Sequence, residues 1–300
     1  MRFALTEDQT ALRDAVRAPL AAGGWSTLAD LGVFAAMADL GLDETDLVPV
    51  LEEVGYAAVA LPVTATAFVA VPLLAALDDD RAAAAATGSL RIAVAGPGGL
   101  TPFGGHADLV LHLDGGVARI GGLSTAASTV DTSLDAVVSM AAGVLTDDPA
   151  LVEAAAARTA LGHAAELVGL GRRMLDLTVG YVQHRHQFGA PVGSFQAVKH
   201  QLADAYLGLE FARPAVLAAA WALQEGADAG PAVDGAVVLA ADAAHAASRA
   251  AIQCHGAIGY TVEYELHRFA KRAWALAALA GPGDRLAALA TTIGLKEQGT

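Results

Sequence analysis

Hydrophobic positions near the amino terminus recur with the period of an α-helix. Leu12, Val16 and Leu20 fall on one face of a segment that Thr6 is placed to cap. Two further helices are predicted, at residues 25–40 and 47–54. We therefore predict an N-terminal helical domain over residues 1–88.

The pattern changes near Gly88 to short segments of alternating apolar and polar residues, bounded by Gly and Pro. Alternation of this kind is typical of strands in a half-buried sheet. The clearest segments are residues 91–94, 109–113 and 117–120. We predict a small β module over residues 89–145.

After Asp148 the chain returns to helical patterns that are rich in Ala and Leu. Four or five helices are predicted, separated at residues 189–191, 226–231 and 256–260. Because small side chains let helix axes approach closely, these helices are expected to pack together. The prediction is a C-terminal helical bundle over residues 146–300.

Composition limits the possible partners. The chain has 55% hydrophobic residues, enough for a substantial core, and its 32 acidic against 18 basic residues give a net charge of -14. This charge opposes binding to nucleic acid or to anionic lipid, so a polyanionic ligand needs a local basic patch. The uncharged run at residues 54–77 is interrupted by Pro62 and Pro72, which favours a buried helix pair over a membrane span.

Cysteine usage and the amino terminus indicate the compartment. The single cysteine, Cys254, excludes an internal disulfide and a thiolate metal cluster. The first residues become acidic at once and lack the pattern of a signal peptide. We expect a cytoplasmic protein, and the histidine spacing predicts no metal site.

The most informative segment is the loop that follows a predicted helix end at Arg185. Its guanidinium offers a planar fork of donors that suits a phosphate, while Phe188 and Phe195 offer ring faces and Gln196 a polar edge. Ser194 is the predicted N-cap of the next helix. Together, the side chains of Arg185, Phe188, Phe195 and Gln196 suit an adenine-diphosphate group. The alternative is that Arg185 only caps the carboxyl end of the helix and that the rings of Phe188 and Phe195 are buried in the core.

This Arg-x-x-Phe-Gly segment followed by Phe-Gln resembles the flavin-dependent acyl-CoA dehydrogenases. A second segment, residues 252–263, is similar to the family's Gln-x-x-Gly-Gly-x-Gly-[Tyr/Phe]-x-x-Glu motif. The resemblance implies a mainly α, acyl-CoA dehydrogenase-like fold with an N-terminal helical domain, a shortened middle β module and a C-terminal four-helix bundle. It also implies α,β-dehydrogenation of an acyl-CoA thioester with FAD.

The resemblance implies that a set of residues in this chain binds the adenosine and pyrophosphate half of FAD. They are Arg185, Gln187, Phe188, Gln196, Gln253, Gly256 and Gly259. The second glycine of the family's Gly-Gly pair is Ala257 here, which weakens the expectation of close backbone approach.

The catalytic base of the family has no counterpart at its usual positions. These positions fall on Ala280 and Thr159, and neither side chain serves as a base. Glu166 lies two helical turns after Thr159 among small apolar residues, which disfavour its charged form. It is the candidate base. The alternatives are that it pairs with Arg172, Arg173 or an interface cation, or that it faces solvent.

The middle module also lacks the family's Thr-Glu-Pro-like segment and the Trp-containing strand that line the flavin ring in relatives. These losses favour one subunit of a hetero-oligomer that shares FAD with a longer acyl-CoA dehydrogenase-like chain. Two alternatives stay open. One is a helical scaffold subunit that binds no flavin, and the other is a homodimer that uses Glu166 as its base.

Overall fold

The computed structural model describes residues 4–226 and 228–295. The chain begins with helices α1 (Glu7–Ala21), α2 (Trp25–Asp30) and α3 (Glu44–Ala57). A π-helical segment, Ala65–Ala70, then continues into α4 (Val71–Ala76), and α5 (Arg81–Ala86) ends this part of the chain.

Local signals account for most of these boundaries. The Thr6 side chain caps α1 as predicted, and Gln9 completes a reciprocal capping box. The helix predicted at residues 25–40 is too long, because α2 ends at Asp30 and Gly32 then takes a φ of 77°. The helix predicted at 47–54 is confirmed within α3, which Asp43 caps.

The middle of the chain forms a small sheet, as predicted, and its strands run in mixed directions. Its strands are β1 (Ile92–Ala95), β2 (Leu100–Thr101), β3 (Leu109–Asp114), β4 (Val117–Ala126) and β5 (Val137–Thr146). They are arranged in the order β1-β3-β4-β5-β2, with β1 and β3 parallel and the other pairs antiparallel.

The rest of the described chain is a helical bundle, in which three breaks lie where the sequence predicts them and a fourth, at Gly281, was not predicted. Its helices are α6 (Pro149–His184), α7 (Gln196–Gln224), α8 (Gly230–His255), α9 (Leu266–Ala280) and α10 (Pro282–Thr292). A two-stranded hairpin of β6 (His186–Gln187) and β7 (Ala190–Pro191) joins α6 to α7. The prediction that Ser194 caps α7 is wrong, because its hydroxyl donates to the Pro191 carbonyl and Phe195 takes the N-cap position.

Close helix contact joins the first helices to the bundle. On α6, a Cβ added at Gly169 would overlap the Glu52 carbonyl oxygen of α3, and one added at Gly55 would overlap the Glu166 backbone. Buried carboxylates reinforce this packing, since Glu52 bonds Arg213 of α7 and Glu53 bonds Arg17 of α1. Among the described residues, no helix is long and apolar enough to cross a membrane.

Arg272 of α9 connects all three parts of the fold. Its side chain is 1% exposed and donates to Asp131, to Ser133 and to the Val59 carbonyl oxygen. Its guanidinium also lies over the Phe103 ring, 4.9 Å from the ring centre. Because Val59, Phe103 and the Asp131–Ser133 turn belong to three separate segments, this buried cation fixes the sheet against the bundle.

Candidate functional site

Arg185 lies at the end of α6, as predicted, and begins a tight hairpin. Its backbone NH donates to Tyr181 O, and its carbonyl accepts from Val192 NH at 2.7 Å. Phe188 and Gly189 both have positive φ, at 53° and 80°, as a two-residue hairpin turn requires. The Arg185 guanidinium is exposed and, within the described part of the chain, has no hydrogen-bond or ion-pair partner.

The aromatic rings beside Arg185 are on the surface. Phe188 is 94% exposed and Phe195 is 38% exposed, and their rings meet edge to face with centres 6.2 Å apart. The alternative that Phe188 plugs the core is therefore wrong. The Phe188 ring and the unpaired Arg185 guanidinium, three positions apart on the hairpin, are both exposed and therefore available to a ligand or to a partner chain.

The second motif lies at the same end of the bundle. His255, the last residue of α8, stacks on Tyr181 of α6 with ring centres 4.3 Å apart. Cys254 Sγ lies 4.0 Å from Gln201 Oε1 of α7, so the motif lies close to both neighbouring helices. The Arg185 hairpin and the 253–259 segment therefore lie at the same end of the bundle. Among the described residues, no direct contact between Arg185 and Gln253 is found.

The predicted residues of the second motif differ in accessibility. Gln253 and Gly256 are exposed. Gly256 has φ 63° and ψ -138°, a conformation that glycine adopts readily, and a Cβ there would meet nothing within 4 Å. A ligand has open access to this backbone. Gly259 is buried, and a Cβ there would lie only 3.1 Å from that of His255, so packing alone explains this glycine.

His255 supplies a feature that the sequence did not reveal. Its Nδ1 donates to Ala251 O at 2.8 Å, while its buried Nε2 has no partner among the described residues. Burial lowers the pKa of His255, which favours the neutral ring with Nε2 as an acceptor. A groove of about 540 Å³ lies nearby, lined by Arg185 together with Tyr181, whose ring stacks on His255, and Tyr264, whose ring is tilted against it. The unpaired Arg185 guanidinium, the exposed Phe188 ring and the open Gly256 backbone suit an adenosine-diphosphate group, whereas His255 does not itself line the groove.

A second cavity, of about 740 Å³, lies between the sheet and the bundle. We call it the interdomain cavity. Thr159 of α6 and Ala280 of α9 both line it, although they are far apart in sequence. The two positions that the resemblance assigns to a base therefore face the same space. Its lining includes one carboxylate, Asp114, an exposed residue at the end of β3.

Other polar side chains line the interdomain cavity. His163 lies on α6 one turn after Thr159, and burial together with nearby Arg285 lowers the pKa of His163 to about 4. Arg285 is held by Asp234 and by the Ala280 carbonyl oxygen. Sequence reasoning missed His163, although its spacing of four residues from Thr159 on one helix was a usable signal.

The sheet side of the interdomain cavity carries a short chain of hydrogen bonds. Ser139 Oγ lies 3.2 Å from His112 Nε2 and 2.6 Å from Thr101 Oγ1. Burial lowers the pKa of His112, so this imidazole is also neutral near physiological pH. These groups were not identified from the sequence because they come from three separate strands.

Glu166 lies behind this wall, in a small adjoining cavity of about 30 Å³ that Thr159 and His163 also line. Its carboxyl accepts a hydrogen bond from Thr64 Oγ1 at 2.5 Å. Burial raises the pKa of Glu166, against the opposing effects of the Thr64 hydrogen bond and of Arg272. The sequence predicted this direction.

The alternatives for Glu166 that involve Arg172, Arg173 or solvent are wrong. Arg172 contacts Glu52 and Glu53, and Arg173 contacts Glu265. The Glu166 side chain is itself buried. Among the described residues, no cluster of possible ligands for a metal ion is found.

Comparison with known sequences gives consistent matches. Residues 150–291 match the family model "Acyl-CoA dehydrogenase, C-terminal domain". The chain is 34% identical over 249 residues to acyl-CoA dehydrogenase IpdE2 of Mycolicibacterium smegmatis, an alignment that covers 81% of this chain and 76% of the relative. It is 34% identical over 242 residues to IpdE2 of Mycobacterium tuberculosis, covering 78% and 72% of the two chains.

Solved structures share the whole architecture. A chain of the ChsE4-ChsE5 complex from Mycobacterium tuberculosis aligns with a TM-score of 0.83 and 23% identity, and covers 100% of both chains. Glutaryl-coenzyme A dehydrogenase in its glutaryl-CoA complex aligns with a TM-score of 0.80 and 19% identity, over 100% of this chain and 98% of the other. The shared fold includes the small sheet and the helical bundle.

Proposed function

Because this chain belongs to the acyl-CoA dehydrogenase family, we propose that it is one subunit of a cytoplasmic, heteromeric flavoenzyme that dehydrogenates an acyl-CoA thioester. In this proposal the chain holds the adenosine-diphosphate half of FAD, and a longer related partner supplies the flavin-ring site and the base. The observation that carries the proposal is the exposed, unpaired Arg185 guanidinium at the start of the hairpin that also exposes Phe188, in a chain whose own base positions are Thr159 and Ala280.

The residues at the end of the bundle suit the cofactor's phosphate side. FAD, when bound, supplies the oxidising chemistry of α,β-dehydrogenation. Arg185 would hold the diphosphate by charge-assisted hydrogen bonds, and Phe188 would cover an aromatic ring. The side chains of Gln187, Gln196 and Gln253 are exposed and available for polar contacts, and Gly256 leaves its backbone open.

The missing base supports a heteromer. A carboxylate that removes an α proton must come within hydrogen-bond reach of the carbon that carries it, about 3 Å between heavy atoms. Glu166 is buried in the small cavity behind Thr159 and is bonded to Thr64. We therefore assign the base to the partner. One structural neighbour is itself a complex of two differently named chains, ChsE4 and ChsE5.

The cofactor assignment is tested by co-expression with a longer acyl-CoA dehydrogenase-like chain. We expect a yellow complex that reduces an artificial acceptor when an acyl-CoA is added. Arg185→Ala should remove most of the flavin absorbance, because the diphosphate loses a charge-assisted partner, while Arg185→Lys should retain part of it. Arg81→Ala on α5 is the control for loss of a positive charge outside the bundle.

Two outcomes separate the alternatives. A stable complex without flavin bands supports the scaffold subunit and contradicts the proposal. Glu166→Gln tests the self-sufficient homodimer, because loss of turnover with flavin retained would identify Glu166 as the base. We expect Glu166→Gln to keep both flavin and turnover, measured on the purified complex.

A further inference from the structure

The free cations of this acidic chain gather at one end of the bundle. Among the described residues, the exposed Lys and Arg side chains without a hydrogen-bond, ion-pair or ring partner are Arg185, Lys199 and Arg249. The other exposed arginines, Arg17 and Arg268, are held by a carboxylate and by an aromatic ring. The proposed function uses Arg185 and leaves the other two free cations without a role.

Lys199 and Arg249 each lie one helical turn from a glutamine that is expected to bind FAD. On α7, Lys199 follows Gln196 by three residues. On α8, Arg249 precedes Gln253 by four residues. Residues at these spacings are neighbours on a helix surface, and all four side chains are exposed. Each of these glutamines therefore has a free cation beside it.

The packing of α7 against α8 brings the two pairs to the same end. Cys254 Sγ lies 4.0 Å from Gln201 Oε1, and a Cβ added at Gly208 would lie 3.6 Å from that of Ala243. The two helices are therefore antiparallel, with the start of α7 beside the end of α8. Arg249 lies on α8 between these two contacts. The hairpin that follows α6 leads directly into α7, so its arginine lies at this end too.

The distribution of charge at this end favours a multiply charged anion. A diphosphate diester is doubly anionic, so Arg185 alone leaves part of its charge uncompensated. The net charge of -14 opposes such a group unless local cations outweigh it. The nearest exposed carboxylates on α7 and α8, Asp204 and Asp242, lie farther from the end than the cations do. Within the described part of the chain, neither carboxylate forms an ion pair with them.

We propose that Lys199 and Arg249 are further FAD-binding residues, which together with Arg185 surround the diphosphate of the cofactor from three segments of the bundle. Lys199 approaches from α7 and Arg249 from α8, and each adds a charge-assisted hydrogen bond to a phosphate oxygen. This inference rests on the proposed function, which assigns the diphosphate to the Arg185 hairpin.

Titration of the flavin-free complex with FAD tests the two residues. Flavin fluorescence reports binding, at several salt concentrations. We expect Lys199→Ala and Arg249→Ala each to weaken FAD binding by about tenfold at low salt, because each removes a charge-assisted contact. In both variants the affinity should also depend less steeply on salt. Lys199→Arg and Arg249→Lys keep the charge and should retain most of the affinity.

A control variant and a second measurement make the result specific. Arg119→Ala on β4 removes a positive charge from the sheet and should leave FAD affinity unchanged. Native mass spectrometry of the same samples reports assembly with the longer chain, which we expect to be unchanged in all of these variants.

The outcomes separate this inference from the proposed function. FAD affinity equal to wild type in Lys199→Ala or in Arg249→Ala would overturn the assignment of that residue, while a loss in Arg185→Ala would still support the proposed function. Weaker assembly with unchanged FAD affinity of the assembled complex would show that the cations contact the partner chain, which also overturns the inference. A wild-type complex that binds no FAD would overturn both.

Discussion

At the scale of single residues, burial shifts the pKa values of two ionisable side chains on α6 in opposite directions. Burial lowers the pKa of His163 to about 4 and raises the pKa of Glu166, because in each case it penalises the charged form. The local environment therefore favours two neutral groups beside the interdomain cavity. Each pKa shift also makes the free energy of unfolding depend on pH.

His163 should make the fold less stable in acid. Its folded pKa of about 4 lies below the ordinary value of 6.5, so the unfolded chain takes up the proton first as the pH falls. Stability should decline from about pH 6.5 to about pH 4 and then level off, by up to roughly 3 kcal/mol from this group. Urea unfolding of wild type and His163→Phe across this range measures the difference. Parallel curves for the two proteins would contradict it.

Glu166 should behave in the opposite sense. Its folded pKa lies above the ordinary value of 4.5, so the folded chain keeps its proton while the unfolded chain releases one. Stability from this group is present below pH 4.5 and is lost as the pH rises through the folded pKa. Glu166→Gln removes this loss, so its stability relative to wild type should increase with pH. A relative stability that does not change with pH would show that the carboxyl is ionised in the fold.

At the scale of elements, the packing of α3 on α6 depends on glycines. A Cβ at Gly169 would overlap the Glu52 carbonyl oxygen, whereas a Cβ at Gly180 on the same helix meets nothing within 4 Å. Gly169→Ala should therefore destabilise the fold by about 2 kcal/mol or more, because two backbones must separate. Gly180→Ala should be neutral or stabilise it by up to about 1 kcal/mol. Chemical unfolding of this pair is the measurement, and equal effects would argue against close packing.

At the scale of the whole molecule, Arg272 joins the sheet, the first helices and the bundle. Arg272→Leu leaves the buried Asp131 carboxylate without its cation, for which we expect a loss of about 3–5 kcal/mol. Adding Asp131→Leu should recover part of that loss, because the unpaired charge is removed. Arg268→Leu, an exposed site one turn earlier on α9, is the control and should change stability by less than about 1 kcal/mol. A double variant no more stable than Arg272→Leu would contradict this account.

The sequence by itself determined the features that depend on near neighbours. The Thr6 cap, the end of α6 at Arg185 and the helix breaks of the bundle follow from short-range signals, since caps and turns form within a few residues. The family followed from two motifs, each also contained in one short segment. Local patterns were less reliable where a single residue decides a boundary, as at Gly32 and Ser194.

Only the tertiary structure decided which distant residues share a site. Thr159, His163, Ala280 and Arg285 line one cavity because tertiary packing brings residues of α6, α9 and α10 together beside the sheet, and no local pattern records that arrangement. The sequence indicated that small apolar neighbours disfavour a charge on Glu166. Its actual partner, Thr64, lies 102 positions away, and a contact of that kind is created only by packing.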